Sequence, residues 1–281
     1  MLLRCGTRTL NLSQPVVMGI LNVTPDSFSD GGQFFHDQQL DLDRCLRVAE
    51  QMCADGASIL DVGGESTRPG ALPISSDEEM ARVLPVVEAL TARLDVVISI
   101  DTSNPQLIIE SAKCGAGIIN DVRALQREGA LAAAFKTGLP VCLMHMQGEP
   151  DTMQIKPDYA HVVRDVTTWL QARADACVAH GIAPHNILLD PGFGFGKTLA
   201  HNLTILKSLD QLTTLGYPLL VGLSRKSFVR TITGRDTANC LHGSVAMAQQ
   251  ALDRGAAILR VHDVSATTDM LKIWQAVHAA T

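Results

Sequence analysis

A chain of 281 residues with 46% hydrophobic side chains has ample material for one large core, at a length that suits a single α/β barrel. A formal net charge of −6, without any dense Lys/Arg run, excludes the electrostatic footprint of a nucleic-acid binder or of a protein drawn to anionic membranes, and leaves small molecules as the expected partners. No apolar run reaches membrane-spanning length, and Arg4 and Arg8 interrupt the N-terminus before a signal-peptide core can build up.

Residues 2–12 alternate weakly around Cys5-Gly6, which predicts a short N-terminal hairpin over 1–14 ahead of a main domain over 15–281. Val16–Leu21 is an apolar run ending in Asn22, followed by a long polar loop over 23–36. Leu42, Cys45, Leu46, Ala49, Met52 and Cys53 then repeat at the spacing of a core-facing helical stripe, which Gly56 closes. Ser58–Leu60 ends in Asp61, and the loop over 63–76 leads into Ser76-Asp-Glu-Glu79, read as a capping box for a helix that Pro85 should kink.

The design then recurs. Val96–Ile100 ends in Asp101, Ile118–Ile119 in Asn120-Asp121, and Ile187–Leu189 in Asp190, while Val141–Met144 runs up to His145. Leu219–Leu223 ends in Ser224-Arg-Lys226, and Ala257–Val261 carries Arg260 and His262 near its end. Glycines 56, 115, 138, 181, 216 and 255 each separate a helical stripe from the next apolar run, where left-handed backbone is commonly needed. Eight strand–helix units with wholly apolar strands imply a covered parallel sheet and favour a (β/α)₈ TIM barrel in one domain; an open doubly wound sheet is the alternative. Either architecture gathers the strand ends into one mouth. The seven cysteines are scattered, without C-x-x-C or zinc-type spacing, and read as free thiols of a cytoplasmic protein.

Asp101, Asn120 and Asp190 combine carboxylates and a carboxamide, which can grip a flat heterocycle through its adjacent N–H and carbonyl groups. The alternative is that they only cap the helices that follow. Arg68, Arg260 and His262, with Thr67 beside Arg68, form a cationic set suited to phosphate or diphosphate; pairing of Arg260 with Asp263 is the competing reading. The two long loops suit lids, Phe195 suits a ligand-facing position in an exit loop, and Met144 suits pocket wall or core. His145 between two methionines reads as locally satisfied. Gly196-Lys197-Thr198 imitates the end of a P-loop, but the glycine such a loop needs five residues earlier is Pro191, which has no N–H for a phosphate.

Taken in order, several segments resemble the bacterial dihydropteroate synthases over nearly the full length. They are Gly19-Ile-Leu-Asn-Val-Thr-Pro-Asp-Ser-Phe-Ser-Asp-Gly-Gly32, Asp61-Val-Gly-Gly-Glu-Ser-Thr-Arg-Pro-Gly70, Ser99-Ile-Asp-Thr102, Ile119-Asn-Asp-Val122, Met144-His145-Met146, Asp190-Pro-Gly-Phe-Gly-Phe-Gly-Lys197, Gly222-Leu-Ser-Arg-Lys-Ser-Phe228 and Leu259-Arg-Val-His-Asp263. The resemblance implies condensation of (7,8-dihydropterin-6-yl)methyl diphosphate with 4-aminobenzoate in folate synthesis. It places the pterin against Asp101, Asn120, Asp190, Lys226, Met144 and Phe195, and the diphosphate against Asn22, Thr67, Arg68, Arg260 and His262, with Mg²⁺ at Asn22. It places aminobenzoate beside Thr67, Pro69, Lys226 and Ser227, and implies a homodimer. Among these, Asp101, Lys226, Arg68 and Asn22 are expected to act in catalysis, and Asp26 or Asp30 to help on loop closure. A pterin-dependent methyltransferase barrel is a rival that would have no use for the cationic set; a non-catalytic pterin-binding paralogue is another.

Overall fold

The computed structural model describes residues 1–24, 34–36, 39–66, 74–148 and 152–280. Eight strands carry the predicted apolar runs: Val16–Asn22 (β1), Ile59–Gly63 (β2), Val97–Asp101 (β3), Ile118–Asp121 (β4), Val141–Met144 (β5), Ile187–Asp190 (β6), Leu219–Val221 (β7) and Ala256–Val261 (β8). All pair in parallel, and the sheet closes in the order β6-β7-β8-β1-β2-β3-β4-β5, so the barrel stands and the open sheet falls.

The strands are apolar on both faces because both faces are covered. Leu60, Val62, Ile98, Ile100, Ile119, Leu143, Leu189, Val221 and Leu259 point outward into the shared core with the surrounding helices. Met18, Ile59, Val97, Ile118, Cys142, Leu188, Leu220 and Ile258 point inward and pack with Leu3, Cys5 and Leu10 of the N-terminal hairpin. Burying each such aliphatic side chain is worth about 1.5–3 kcal/mol. The hairpin pairs Leu2–Cys5 with Arg8–Asn11 as expected and plugs the barrel's N-terminal end. Gly117 permits that approach, since a Cβ there would lie 2.9 Å from the Cys5 Cβ.

Two residues further along five of the strands the inward positions become polar. Ile59, Val97, Ile118, Leu188 and Ile258 are followed at that spacing by Asp61, Ser99, Asn120, Asp190 and Arg260. The strand period of two therefore turns an apolar plug into a polar floor without changing face.

Local details depart from expectation in two places. The helix Ser76–Arg93 starts one residue early, with Ser75 as the cap accepting from the Glu78 N–H at 3.2 Å. Glu79 does not complete a capping box; it is buried and accepts from Thr102 Oγ1 at 2.5 Å and Asn104 Nδ2 at 3.2 Å, donors left inside by the exit from β3. The helix continues through Pro85. A two-stranded pair, Phe35–His36 with Gln39–Leu40, follows the first loop. All seven cysteines are free, with Cys53 and Cys114 half-buried and the other five buried. No helix among the described residues is long and apolar enough to cross a membrane.

Candidate active site

At the C-terminal end of the barrel the polar floor is one hydrogen-bonded unit. Arg260 on β8 donates from Nε to Asp61 Oδ2 at 2.6 Å and from a terminal nitrogen to Asp101 Oδ2 at 2.8 Å. Asn120 Nδ2 donates to the same Asp61 oxygen at 3.0 Å. Asp101 and Asn120 are partners in the β3–β4 register, so their side chains stand side by side. The other Asp61 oxygen and the Ser99 hydroxyl are buried without a hydrogen-bond partner.

Arg260 is thus ion-paired, but not with Asp263. Asp263 pairs instead with Arg225, at 2.6 Å and 3.1 Å, because β8 turns Arg260 inward and carries Asp263 past the strand end. Asp61 was placed by its sequence at the end of an apolar run; the strand continues to Gly63, which leaves Asp61 inside the barrel and wholly buried.

The exit from β6 shapes the next wall. Asp190 Oδ1 accepts from the Gly192 N–H at 2.7 Å, and Gly192 has φ +67°, where a Cβ would sit 1.9 Å from the His145 carbonyl oxygen. Only glycine fits this turn. The loop then presents Phe195, half-buried, with Lys226 Nζ 4.3 Å from its ring centroid in cation–π geometry. Lys226 follows Arg225, which adopts φ +57° and is held there by its backbone bond to Ser244 Oγ at 3.0 Å and its pair with Asp263. Ser224 Oγ accepts from the His262 backbone N–H at 3.2 Å and lies 3.1 Å from His262 Nδ1, which fixes the imidazole at the rim.

Charge is concentrated here in a low-dielectric setting. Burial pushes the Asp190 carboxyl up to about 6, against the pull of the Gly192 N–H and of Lys226 and Arg260. Asp101 is raised as well, by burial first, with Arg260 opposing and Asp61 reinforcing. Burial works against the Arg260 charge, but Asp61 and Asp101 outweigh it and hold the guanidinium protonated.

Asn22, Asp101, Phe195, Lys226, Ser227, Arg260 and His262 line one cavity of about 480 Å³, together with Glu65, Gly222 and Arg225. Asn120 and Asp190 lie beside it as buried floor and wall. Met144 is buried and faces an adjoining cavity of about 330 Å³ with Val122 and Trp169. Thr67, Arg68, Pro69, Asp26 and Asp30 lie outside the described residues. His145 is packed, as expected, against Trp169 with ring centroids 5.0 Å apart. Asp61 and Arg225 read in the sequence as polar residues closing apolar runs but are not assigned to the site there; in the structure Asp61 stands in register with Ser99.

Such a floor of carboxylates and carboxamide beside a cationic rim is what a flat amino-heterocycle bearing an anionic tail requires. The pattern of the family described as "Pterin binding enzyme" matches residues 18–262. The dihydropteroate synthase of Haemophilus influenzae is 50% identical over 276 residues, covering 98% of each chain. The chain belongs to the dihydropteroate synthase family. Its fold agrees throughout: the Yersinia pestis dihydropteroate synthase solved with a sulfonamide drug complex superposes with TM-score 0.96 at 52% identity, covering 100% of each chain. The Xanthomonas albilineans dihydropteroate synthase solved with 4-aminobenzoic acid gives TM-score 0.92 at 45% identity, over 100% of this chain and 99% of that one.

Proposed function

We propose that this barrel mouth joins (7,8-dihydropterin-6-yl)methyl diphosphate to 4-aminobenzoate, releasing diphosphate and 7,8-dihydropteroate. The observation that carries the reading is the single floor in which Arg260 binds Asp61 and Asp101 while Asn120 binds Asp61, set beside Lys226 and His262. Asp190 and Asn120 present acceptors and donors for the amino-pyrimidinone edge of the pterin, and Phe195 and Met144 supply apolar wall. Arg260 spends two N–H groups on the floor and keeps the remainder of its five for the diphosphate. His262, Asn22 and, from the second loop, Thr67 and Arg68 complete that subsite. Lys226 and Ser227, with Thr67 and Pro69, border the aminobenzoate.

The aromatic amine is a weak nucleophile, which favours breaking the C–O bond first, its electron pair leaving with the diphosphate. The positive charge left on the pterin methylene faces Asp101, whose carboxylate stabilises it without bonding to it. The amine lone pair then forms the C–N bond, and the nitrogen releases a proton. Asn22 contributes one amide oxygen to the cavity, and no cluster of three His, Cys, Asp or Glu that could cage a metal exists among the described residues. That donor set fits Mg²⁺, which keeps several waters and shares phosphate oxygens. Asn22 would hold the ion through its side-chain oxygen, where a divalent cation would supply charge neutralisation for the diphosphate. The reading also includes a homodimer, checked by sedimentation of the purified chain, and a cytoplasmic setting, with which seven free thiols accord.

Purified protein incubated with Mg²⁺, the pterin diphosphate and 4-aminobenzoate is expected to release diphosphate in step with dihydropteroate. Pterin binding without turnover would overturn the enzyme reading and leave a binding module.

A further inference from the structure

We infer that Lys197 is a positioning residue: its buried ammonium group holds the β6 exit loop in the shape that aims Asp190 and Phe195 at the pterin. The inference rests on the proposed pterin site and deepens it.

Lys197 belongs to the Gly-Lys-Thr that imitates a phosphate loop, yet it is only 3% exposed. Its Nζ donates to the carbonyl oxygens of Gly192 and Phe195, each at 2.9 Å, and of His145 at 3.2 Å, and lies 2.9 Å from His145 Nδ1. An ammonium has three protons and no acceptor, so these four partners use its whole capacity. Gly192, Gly194 and Gly196 all have positive φ, and the carbonyls of Gly192 and Phe195 converge on the one nitrogen. A buried charge surrounded by backbone carbonyls is costly to assemble, and four converging partners give it a specific reason to be there.

What these partners have in common is the pterin wall. Gly192 uses its carbonyl to accept from Lys197 and its N–H to hold Asp190 Oδ1. Phe195 carries the ring that faces Lys226. His145 follows Met144, and its own N–H donates to the Asp190 carbonyl at 2.9 Å, so Lys197 ties the end of β5 to the end of β6. Its neutral imidazole suits an acceptor, since burial and the Lys197 charge both oppose protonation. The loop's outer side is pinned independently. Asn202 Oδ1 accepts from the Gly194 N–H at 2.8 Å, and the Tyr159 hydroxyl donates to the Gly196 carbonyl at 2.8 Å. Removing the ammonium therefore leaves the loop attached to the barrel and frees only the part that reaches the pterin.

The test is Lys197→Met, close in shape but without donors, compared with wild type by circular dichroism, by calorimetric binding of a pterin without diphosphate, and by steady-state kinetics. The expected result is a folded variant whose pterin Kd and pterin-diphosphate KM rise at least tenfold while the aminobenzoate KM moves less than twofold. Equal movement of both KM values, or no movement of the pterin Kd, overturns the inference. If Lys197→Met does not fold, His145→Phe removes the side-chain acceptor and is expected to shift the pterin Kd alone, by a few-fold; an unchanged Kd there overturns it. A wild type that binds no pterin overturns the inference together with the site reading, whereas a wild type that binds and a variant that binds equally well overturn the inference alone.

Discussion

Arg260 and Asp61 lie 199 residues apart in the chain and meet at 2.6 Å inside the barrel, with Asp61 wholly buried. A buried carboxylate stripped of its cation is left with an uncompensated charge, which typically costs about 3–5 kcal/mol. Arg260→Met is therefore expected to lower unfolding stability by about that amount, read from the urea midpoint. Adding Asp61→Asn removes the stranded charge, so the double variant is expected to regain part of the loss. Simple additivity of the two losses would count against the pair.

Asp101 shares that arginine and lines the cavity. If its carboxylate stabilises positive charge on the pterin methylene, Asp101→Asn keeps the size and loses the charge. Diphosphate release measured in a single turnover is expected to slow by about 10²–10³-fold, the range for one preorganised electrostatic contact. Pterin affinity should fall far less. Equal losses in rate and affinity would assign Asp101 to ground-state binding only.

The sequence made the barrel readable because apolar runs recur along it and six glycines separate a helical stripe from the next run. It also exposed Asp101, Asn120, Asp190, Arg260 and His262, which stand where those runs stop. Asp61 reads as the close of an apolar run but is left out of the site, because the strand runs on to Gly63 and its partner Arg260 comes from 199 residues away. The pairing of Arg225 with Asp263, rather than Arg260 with Asp263, depended on which side of β8 each side chain leaves, a matter of register that spacing does not fix. Glu79 looked like a capping residue because a capping box is local, whereas its actual partners Thr102 and Asn104 come from the next strand's exit. Lys197 was legible as a failed phosphate loop, but its carbonyl cage exists only once β5 and β6 lie side by side.

Asp190 sets a pH dependence. Its folded value, about 6, stands above that of an ordinary carboxylate, so its contribution to stability is present below the ordinary value and is lost as pH rises through about 6. In the proposed site the pterin edge donates to the ionised form, so binding is expected to have the opposite slope. Affinity for a pterin is expected to fall about tenfold per pH unit below 6 and to level off above 7. Calorimetric titrations between pH 5 and 8 read this directly. Asp190→Asn should bind weakly and with a flattened profile, while Asp101→Asn keeps the slope; a profile unchanged in Asp190→Asn would remove Asp190 from the pterin edge.

Asn22 offers the sharpest separation of metal from pterin. Its carboxamide reaches the cavity from the end of β1, on the same side as Asp101 and His262, and the proposal gives it Mg²⁺ and through that ion the diphosphate. Asn22→Ala is expected to raise the Mg²⁺ concentration for half-maximal rate by about 10–100-fold, the scale on which a metal site responds to loss of a supporting group. Binding of a pterin without diphosphate should stay as in the wild type, because the ring is held on other strands. Asn22→Asp supplies a charged oxygen at the same place and should recover much of the Mg²⁺ response. Chelation of Mg²⁺ should then weaken pterin-diphosphate binding in wild type and in Asn22→Asp, and change little in Asn22→Ala. An Asn22→Ala enzyme with an unaltered Mg²⁺ requirement would place the ion on other ligands and leave Asn22 as a neutral part of the wall.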